Sequence, residues 1–219
     1  MLQNLFYLSI MKTLVVAATH AELHRLFAHF ELPEENFIQT PVFDIVITGV
    51  GMTATAFSLG RTLNNSYDLI LNLGIAGCFD YSVPLGQLVH VTTETFSELG
   101  AEDRDSFLPI ADLGFGKSTY QSATPPITLP GHLLTGSGIT VNTVHGNMDS
   151  IRQIEQRFHP LTESMEGAAV FYAGEQLNIP VVQIRSISNY VEARNRESWK
   201  IGLAIANLNS WAIDFLTND

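Results

Sequence analysis

The sequence has almost no cysteine and few positive charges, and each shortage narrows what the chain can be. Cys78 is the only cysteine in 219 residues, which excludes an internal disulfide framework and any metal site built on several thiolates. A lone cysteine also suits a reducing compartment, so a cytoplasmic location is expected. Eleven Lys and Arg stand against twenty-two Asp and Glu, a formal net charge of −11. Such an acidic surface repels a nucleic-acid backbone and an anionic membrane, and neither is expected as a partner. A local pocket for an anionic ligand stays open. No apolar run approaches the ~20 residues that cross a bilayer. The seven histidines show no HExxH spacing, and His20 and His24, four apart, have no evident third ligand. No metal or organic cofactor is expected. A complete dinucleotide fingerprint, a P-loop, internal repeats and low-complexity linkers are all missing.

What is present is a well-patterned globular chain. Hydrophobic residues make up 46% of it and charged residues 15%, enough for a sizeable core in one domain. Thr13–Ala18, Phe43–Thr48, Asp68–Leu73, Gln87–Thr93, a segment near His132–Thr135 and Pro180–Ile187 read as strands. Stretches of about Ala21–Phe30, Thr53–Leu63, Glu166–Leu177 and Glu197–Leu216 read as helices. Residues 100–130, rich in Gly, Pro, Ser and Thr, read as a long excursion. Apolar strands alternating with amphipathic helices predict an α/β domain with a largely parallel sheet. The decapeptide MLQNLFYLSI has no basic residue ahead of it, and Met11 opens MKTLVVAA. Residues 1–10 are therefore expected to be an N-terminal extension, and 11–219 the domain.

In such folds ligands bind beyond the carboxyl ends of the strands. Gly49-Val50-Gly51 and Gly74-Ile75-Ala76-Gly77 both fall there, where glycine permits a sharp turn or a close ligand. Glu22 follows the first strand, as a first-turn acid favoured by the helix dipole or as an acid or base at the sheet edge. Glu166 opens a helix behind Met165 and ahead of the small residues Gly167, Ala168 and Ala169. A carboxylate so placed can accept two vicinal hydroxyls or simply complement the dipole. Ser188 and Asn189 end the last buried strand, and an amide can both donate to and accept from a heterocycle edge. Arg194 and Arg196 follow, as solvated loop residues or as a carboxylate clamp.

Taken in order, these segments resemble the nucleoside phosphorylase/nucleosidase family. MKTLVVAATHAE is similar to that family's first strand with its catalytic glutamate, at Glu22 here. ITGVGMTATAF and LNLGIAGCF resemble its two glycine segments, with Gly51, Ala76 and Gly77 at the ligand. ESMEGAAVFYAGEQLNIPVVQIRSISN resembles its signature around the ribose-binding Met165 and Glu166 and the base-reading Ser188 and Asn189. The resemblance implies a three-layer αβα fold with a central mixed, largely parallel sheet, a small-molecule nucleoside substrate and a homo-oligomer.

Two departures narrow the implied activity. Adenine-specific members carry Ser-Asp where this chain has Ser188-Asn189. The amide oxygen can accept from purine N7–H and its NH2 can donate to a 6-oxo group, so Asn189 favours a 6-oxopurine. Family phosphorylases hold phosphate with an Arg and a Thr or Ser, at places that fall on Asn72 and Ile75 here. Without a cation or hydroxyl there, water becomes the expected nucleophile. The expectation is a nucleoside hydrolase in which Glu22 activates water, Glu166 holds the ribose hydroxyls and Asn189 supports the leaving base. Arg194 or Arg196, or an Arg from a partner subunit, would meet a carboxylate on the 5′ side. An adenine-nucleoside hydrolase of methylthioadenosine type, a phosphorylase and a non-catalytic nucleoside binder remain the alternatives.

Overall fold

Strand β1 (Thr13–Ala17) is buried along its whole length, and its side chains alternate between two layers of core. Val15 and Ala17 join one cluster, Leu14 and Val16 the other. This is the computed structural model of the chain, and it describes residues 11–104, 106–122 and 127–217. The expected extension, residues 1–10, lies outside the described residues.

Around β1 lie β2 (Phe37–Gln39), β3 (Phe43–Ile47), β4 (Leu69–Cys78), β5 (Leu88–Phe96), β8 (Thr119–Gln121), β9 (Leu134–Thr140), β10 (Thr162–Ser164) and β11 (Val181–Tyr190), while β6 (Gly100–Asp103) and β7 (Ser106–Pro109) form a separate hairpin. The large sheet is mixed. Strands β3, β1, β4 and β11 run parallel, as do β5, β9 and β10. The hydrogen-bonded path runs β4–β11–β5–β9–β10 and returns to β4, so half of the sheet curls into a small closed barrel.

Helices α1 (His24–His29) and α5 (Ile201–Thr217) cover one face. Leu26, Phe27, Leu208, Trp211, Ala212 and Phe215 pack there against Val15, Ile45, Leu71 and Ile184. Helices α2 (Met52–Thr62) and α4 (Gly167–Leu177) cover the other, with Leu59, Val170 and Phe171 against Leu14, Val46 and Ile70. This is the expected three-layer αβα arrangement. Helix α3 (Met148–Phe158) packs Ile151 and Ile154 beside the barrel.

Several boundaries differ from the sequence reading, and most differences have one cause. The segment Gly74-Ile75-Ala76-Gly77, expected as a turn, is strand: β4 runs on from the open sheet into the barrel, and glycines sit where the strand bends and its neighbours crowd in. β11 likewise continues to Tyr190, with Ser188 as the extra residue between Ile187, opposite Ala76, and Asn189, opposite Gly77. Such bulges re-aim side chains beside binding sites. The strand expected near 132–135 lies at Leu134–Thr140, and the excursion at 100–130 contains β6, β7 and β8. Helix α3 and the three-residue strands β2 and β10 escaped the pattern. The long closing helix starts at Ile201, after a 3-10 turn at Arg196–Ser198.

One buried amide ties the closing helix to the first turn. Asn209, fully buried on α5, accepts from Leu26 N (2.9 Å) and donates to the backbone oxygen of Glu22 (2.7 Å). Removing it strands a buried donor and acceptor, at a cost of roughly 1–3 kcal/mol each. An Asn209→Ala variant is expected to unfold in urea with stability lowered by about 2–4 kcal/mol. An unchanged unfolding midpoint contradicts this.

Candidate active site

The turn after β1, the turn after β3, the second half of β4, the β10–α4 junction and the end of β11 converge on one cavity of about 390 Å³. Of the residues singled out in the sequence, Glu22, Ala76, Gly77, Met165, Glu166, Ser188, Asn189 and Arg194 line it. Gly51 does not, but its N–H donates to Oε1 of Glu166 at 2.9 Å. The positive φ of Gly51 (94°) makes glycine the fitting residue for that approach. Arg196 also stands outside the lining. Its guanidinium lies 6.0 Å from the ring of Trp199, whereas that of Arg194 lies 5.4 Å from the same ring at the cavity mouth.

Glu22 stands in the first turn after β1 and also lines the cavity. It closes a reciprocal cap with Thr19, whose N–H and hydroxyl both donate to Oε2 at 3.0 Å. Its Oε1 accepts from Ile75 N at 3.2 Å. Ile75, at the place where family phosphorylases hold phosphate through a side chain, thus supplies a backbone donor to the candidate base. Burial pushes the Glu22 carboxyl above its ordinary range; Arg185 opposes this, the like charge of Glu166 adds to it, and the Ile75 and Thr19 hydrogen bonds pull it back.

Arg185 went unnoticed as a site residue in the sequence. It sits on β11 opposite Gly74 and is 2% exposed. A Cβ on Gly74 would overlap Nη1 of Arg185 and come within 3.0 Å of Oε1 of Glu22, so glycine is required there. Among the described residues, Nε and Nη2 of Arg185 have no hydrogen-bond partner. A cation inside the apolar run PVVQIRSI was the available signal, because a buried charge needs counter-charges nearby.

Behind Arg185 lies Glu94, fully buried on β5. It accepts from Gln183 Nε2 and, at 2.9 Å, from the Thr140 hydroxyl. Thr140 in turn accepts from Ala168 N at 2.7 Å, at the start of α4. Asn72, which was read as a phosphate position, is buried in β4 and donates to Gln183 Oε1 at 2.6 Å. It therefore braces this network and does not line the cavity. Gly167, read as a close-packing residue, leaves room for the Glu94 carboxylate. Burial pushes Glu94 up to about 7, against the pull of Arg185.

At the far wall, Oδ1 of Asn189 accepts from the Ser188 hydroxyl (2.7 Å), and Nδ2 donates to Tyr190 O (3.0 Å). One lone pair and one N–H of the amide remain for a ligand. Nearby, Nδ1 of His145 is hydrogen-bonded to Oε2 of Glu163, and His145 N donates to Oε1 of the same carboxylate at 2.9 Å. Among the described residues, no group of three or more His, Cys, Asp or Glu is arranged to hold a metal ion.

Comparison with known proteins places this geometry. The family profile "Phosphorylase superfamily" matches residues 38–215. A futalosine hydrolase from Streptomyces coelicolor is 37% identical over 182 residues, covering 76% of this chain and 75% of that one. A 5′-methylthioadenosine/S-adenosylhomocysteine nucleosidase from Maridesulfovibrio salexigens is 29% identical over 205 residues, covering 83% and 87%. Among solved structures, the corresponding nucleosidase from Helicobacter pylori superposes with a TM-score of 0.80 at 14% identity, covering 96% of this chain and all (100%) of that one. That last likeness concerns the fold.

The raised carboxyl of Glu94 has a consequence for stability. Between its ordinary value near 4.5 and about 7, the folded chain holds a proton that the unfolded chain has released. Folded stability therefore falls as pH rises through that window and levels off above it. A Glu94→Gln variant lacks this dependence. Its stability relative to the parent is expected to rise by about 3 kcal/mol from pH 4.5 to 8 in urea unfolding; a constant difference contradicts the assignment.

Proposed function

The chain belongs to the phosphorylase superfamily, and from that membership we propose that it hydrolyses the N-glycosidic bond of a 6-oxopurine nucleoside, futalosine, releasing hypoxanthine. The observation that carries this reading is Asn189, an amide with a free acceptor and a free donor facing the cavity. The identity to a futalosine hydrolase supports it. With futalosine as substrate, the step belongs to menaquinone biosynthesis.

The reaction builds positive charge on the ribose as the bond to the base breaks, as in glycoside hydrolysis. Water supplies a hydroxyl to C1′, and its proton goes to Glu22, the general base, whose burial keeps the carboxyl basic enough to accept it. Arg185, packed over the same glycine as Glu22 but outside the cavity lining, pulls the Glu22 carboxyl down and so tunes its basicity. Glu166, pinned through one oxygen by Gly51, presents the other to the ribose hydroxyls and sets negative charge beside the developing cation. Met165 packs under the sugar. The base takes a proton at N7 from a solvent water and departs neutral, Glu22 later returning its proton to solvent; Asn189 accepts from that N7–H and donates to O6, with Ser188 holding the amide in place. Arg194 at the mouth meets the benzoate-type carboxylate on the 5′ side of futalosine.

A homo-oligomer and a cytoplasmic location belong to the same proposal. Val50, at the cavity wall, and Phe57, on α2, are 56% and 67% exposed, apolar surface that a second copy would cover. The free, buried Cys78 suits a reducing compartment. Among the described residues, no helix is long and apolar enough to cross a membrane.

Base release from futalosine, inosine and methylthioadenosine, each with and without phosphate, tests the reading. Hypoxanthine from futalosine, independent of phosphate, is expected, with kcat lowered about 10²–10⁴-fold in Glu22→Gln. Adenine from methylthioadenosine as the main product makes the chain a methylthioadenosine nucleosidase. A strict phosphate requirement makes it a phosphorylase.

A further inference from the structure

We propose that His145, held by Glu163, reads the N1 edge of a 6-oxopurine base opposite Asn189, and so sets base specificity. This deepens the hydrolase reading and rests on it for the identity of the base. Gly77 on β4 pairs with Asn189 on β11 on one side and with Glu163 on β10 on the other. Cross-strand partners share a face of the sheet. Asn189 and Glu163 therefore flank a position without a side chain, on strands that stand roughly 9–10 Å apart across β4. Asn189 Nδ2 and Val191 Cγ2 lean over Gly77, and Asn189, Gly77, Glu163 and His145 all line the cavity, Asn189 on one side of Gly77 and Glu163 with His145 on the other.

The chemistry of the second wall is directional. Glu163 is 4% exposed, and both of its oxygens are used on His145, one on the backbone N–H and one on Nδ1. A carboxylate on Nδ1 fixes the proton there, so the neutral ring presents Nε2 as an acceptor. Among the described residues, Nε2 makes no hydrogen bond, and His145 lines both this cavity and a second one beside β6, β7 and α3. The loop that carries it is tied down by Arg194 N, which donates to Gly146 O at 3.3 Å. A 6-oxopurine has a hydrogen on N1 and adenine has none. An acceptor at this wall therefore favours the 6-oxo base, and it complements an Asn189 that takes N7–H and O6.

The test is the ratio of hypoxanthine to adenine affinity, measured by calorimetry on the full chain and on two variants. The parent is expected to prefer hypoxanthine, and His145→Ala to lower the ratio about tenfold, the weight of one hydrogen bond. In Glu163→Gln the amide NH2 can face Nδ1, which moves the ring proton to Nε2 and shifts the ratio towards adenine. A purely structural role for the pair would weaken both bases in parallel and leave the ratio unchanged, which overturns the proposal. The parent protein gives an independent answer, whether or not the variants fold. Its ¹⁵N-histidine spectrum is expected to show Nε2 of His145 shifting on hypoxanthine binding, and an unmoved resonance contradicts the assignment. Turnover of futalosine by the parent is scored separately: an active parent with an unchanged ratio removes only this role of His145, whereas an inactive parent removes the hydrolase reading.

Discussion

A single buried guanidinium organises the site. Arg185 lies inside the sheet, where a charge is tolerated only with counter-charges close by. Glu22 and Glu94 both feel it, and both carboxyls stand above their ordinary range because burial outweighs its pull. Gly74 exists to let the guanidinium through, and Gly138 and Gly167 leave space for the Glu94 carboxylate. Three glycines in the sequence are thus accounted for by two charged groups. In the proposed mechanism those groups form a preorganised field at the point where the ribose turns cationic.

The fold serves this arrangement by bending one strand. β4 begins parallel to β1 in the open sheet and ends antiparallel to β10 in the barrel. Its first half carries apolar core, and its second half, Ile75 to Gly77, forms cavity wall. The cavity therefore sits where the open sheet gives way to the barrel. Asn209 couples the opposite end of the chain to Glu22 through the backbone, so the closing helix helps set the position of Glu22.

Much of this was legible in the residues. The apolar strands, the two covering helical layers and the collinear segments around Glu22, Met165, Glu166 and Asn189 follow from local pattern and from order along the chain. What could not be read has a common character. Glu94 lies in QLVHVTTETF, where nothing local distinguishes a buried acid from a solvated one. Its role depends on Gln183 and Thr140, which are distant in sequence. The pairing of His145 with Glu163 likewise spans eighteen residues and exists only because β10 adds to β4. Glycine-rich LGIAGC looked like a turn because glycine serves both turns and crowded strands, and only the identity of the neighbour decides between them. The brace that Asn72 makes with Gln183 and the place of Arg185 beside Glu22 are hidden for the same reason. In a strand buried on both faces, alternation does not tell which side chain meets the ligand.

In the proposed mechanism Arg185 governs the basicity of Glu22. The most direct measurement is the pH dependence of kcat for futalosine in the parent and in Arg185→Met. Removing the cation takes away the interaction that lowers the Glu22 carboxyl, so the acidic limb of the profile is predicted to move to higher pH, with kcat reduced at every pH. Superimposable profiles with similar kcat would contradict the account and leave Arg185 with a packing role only.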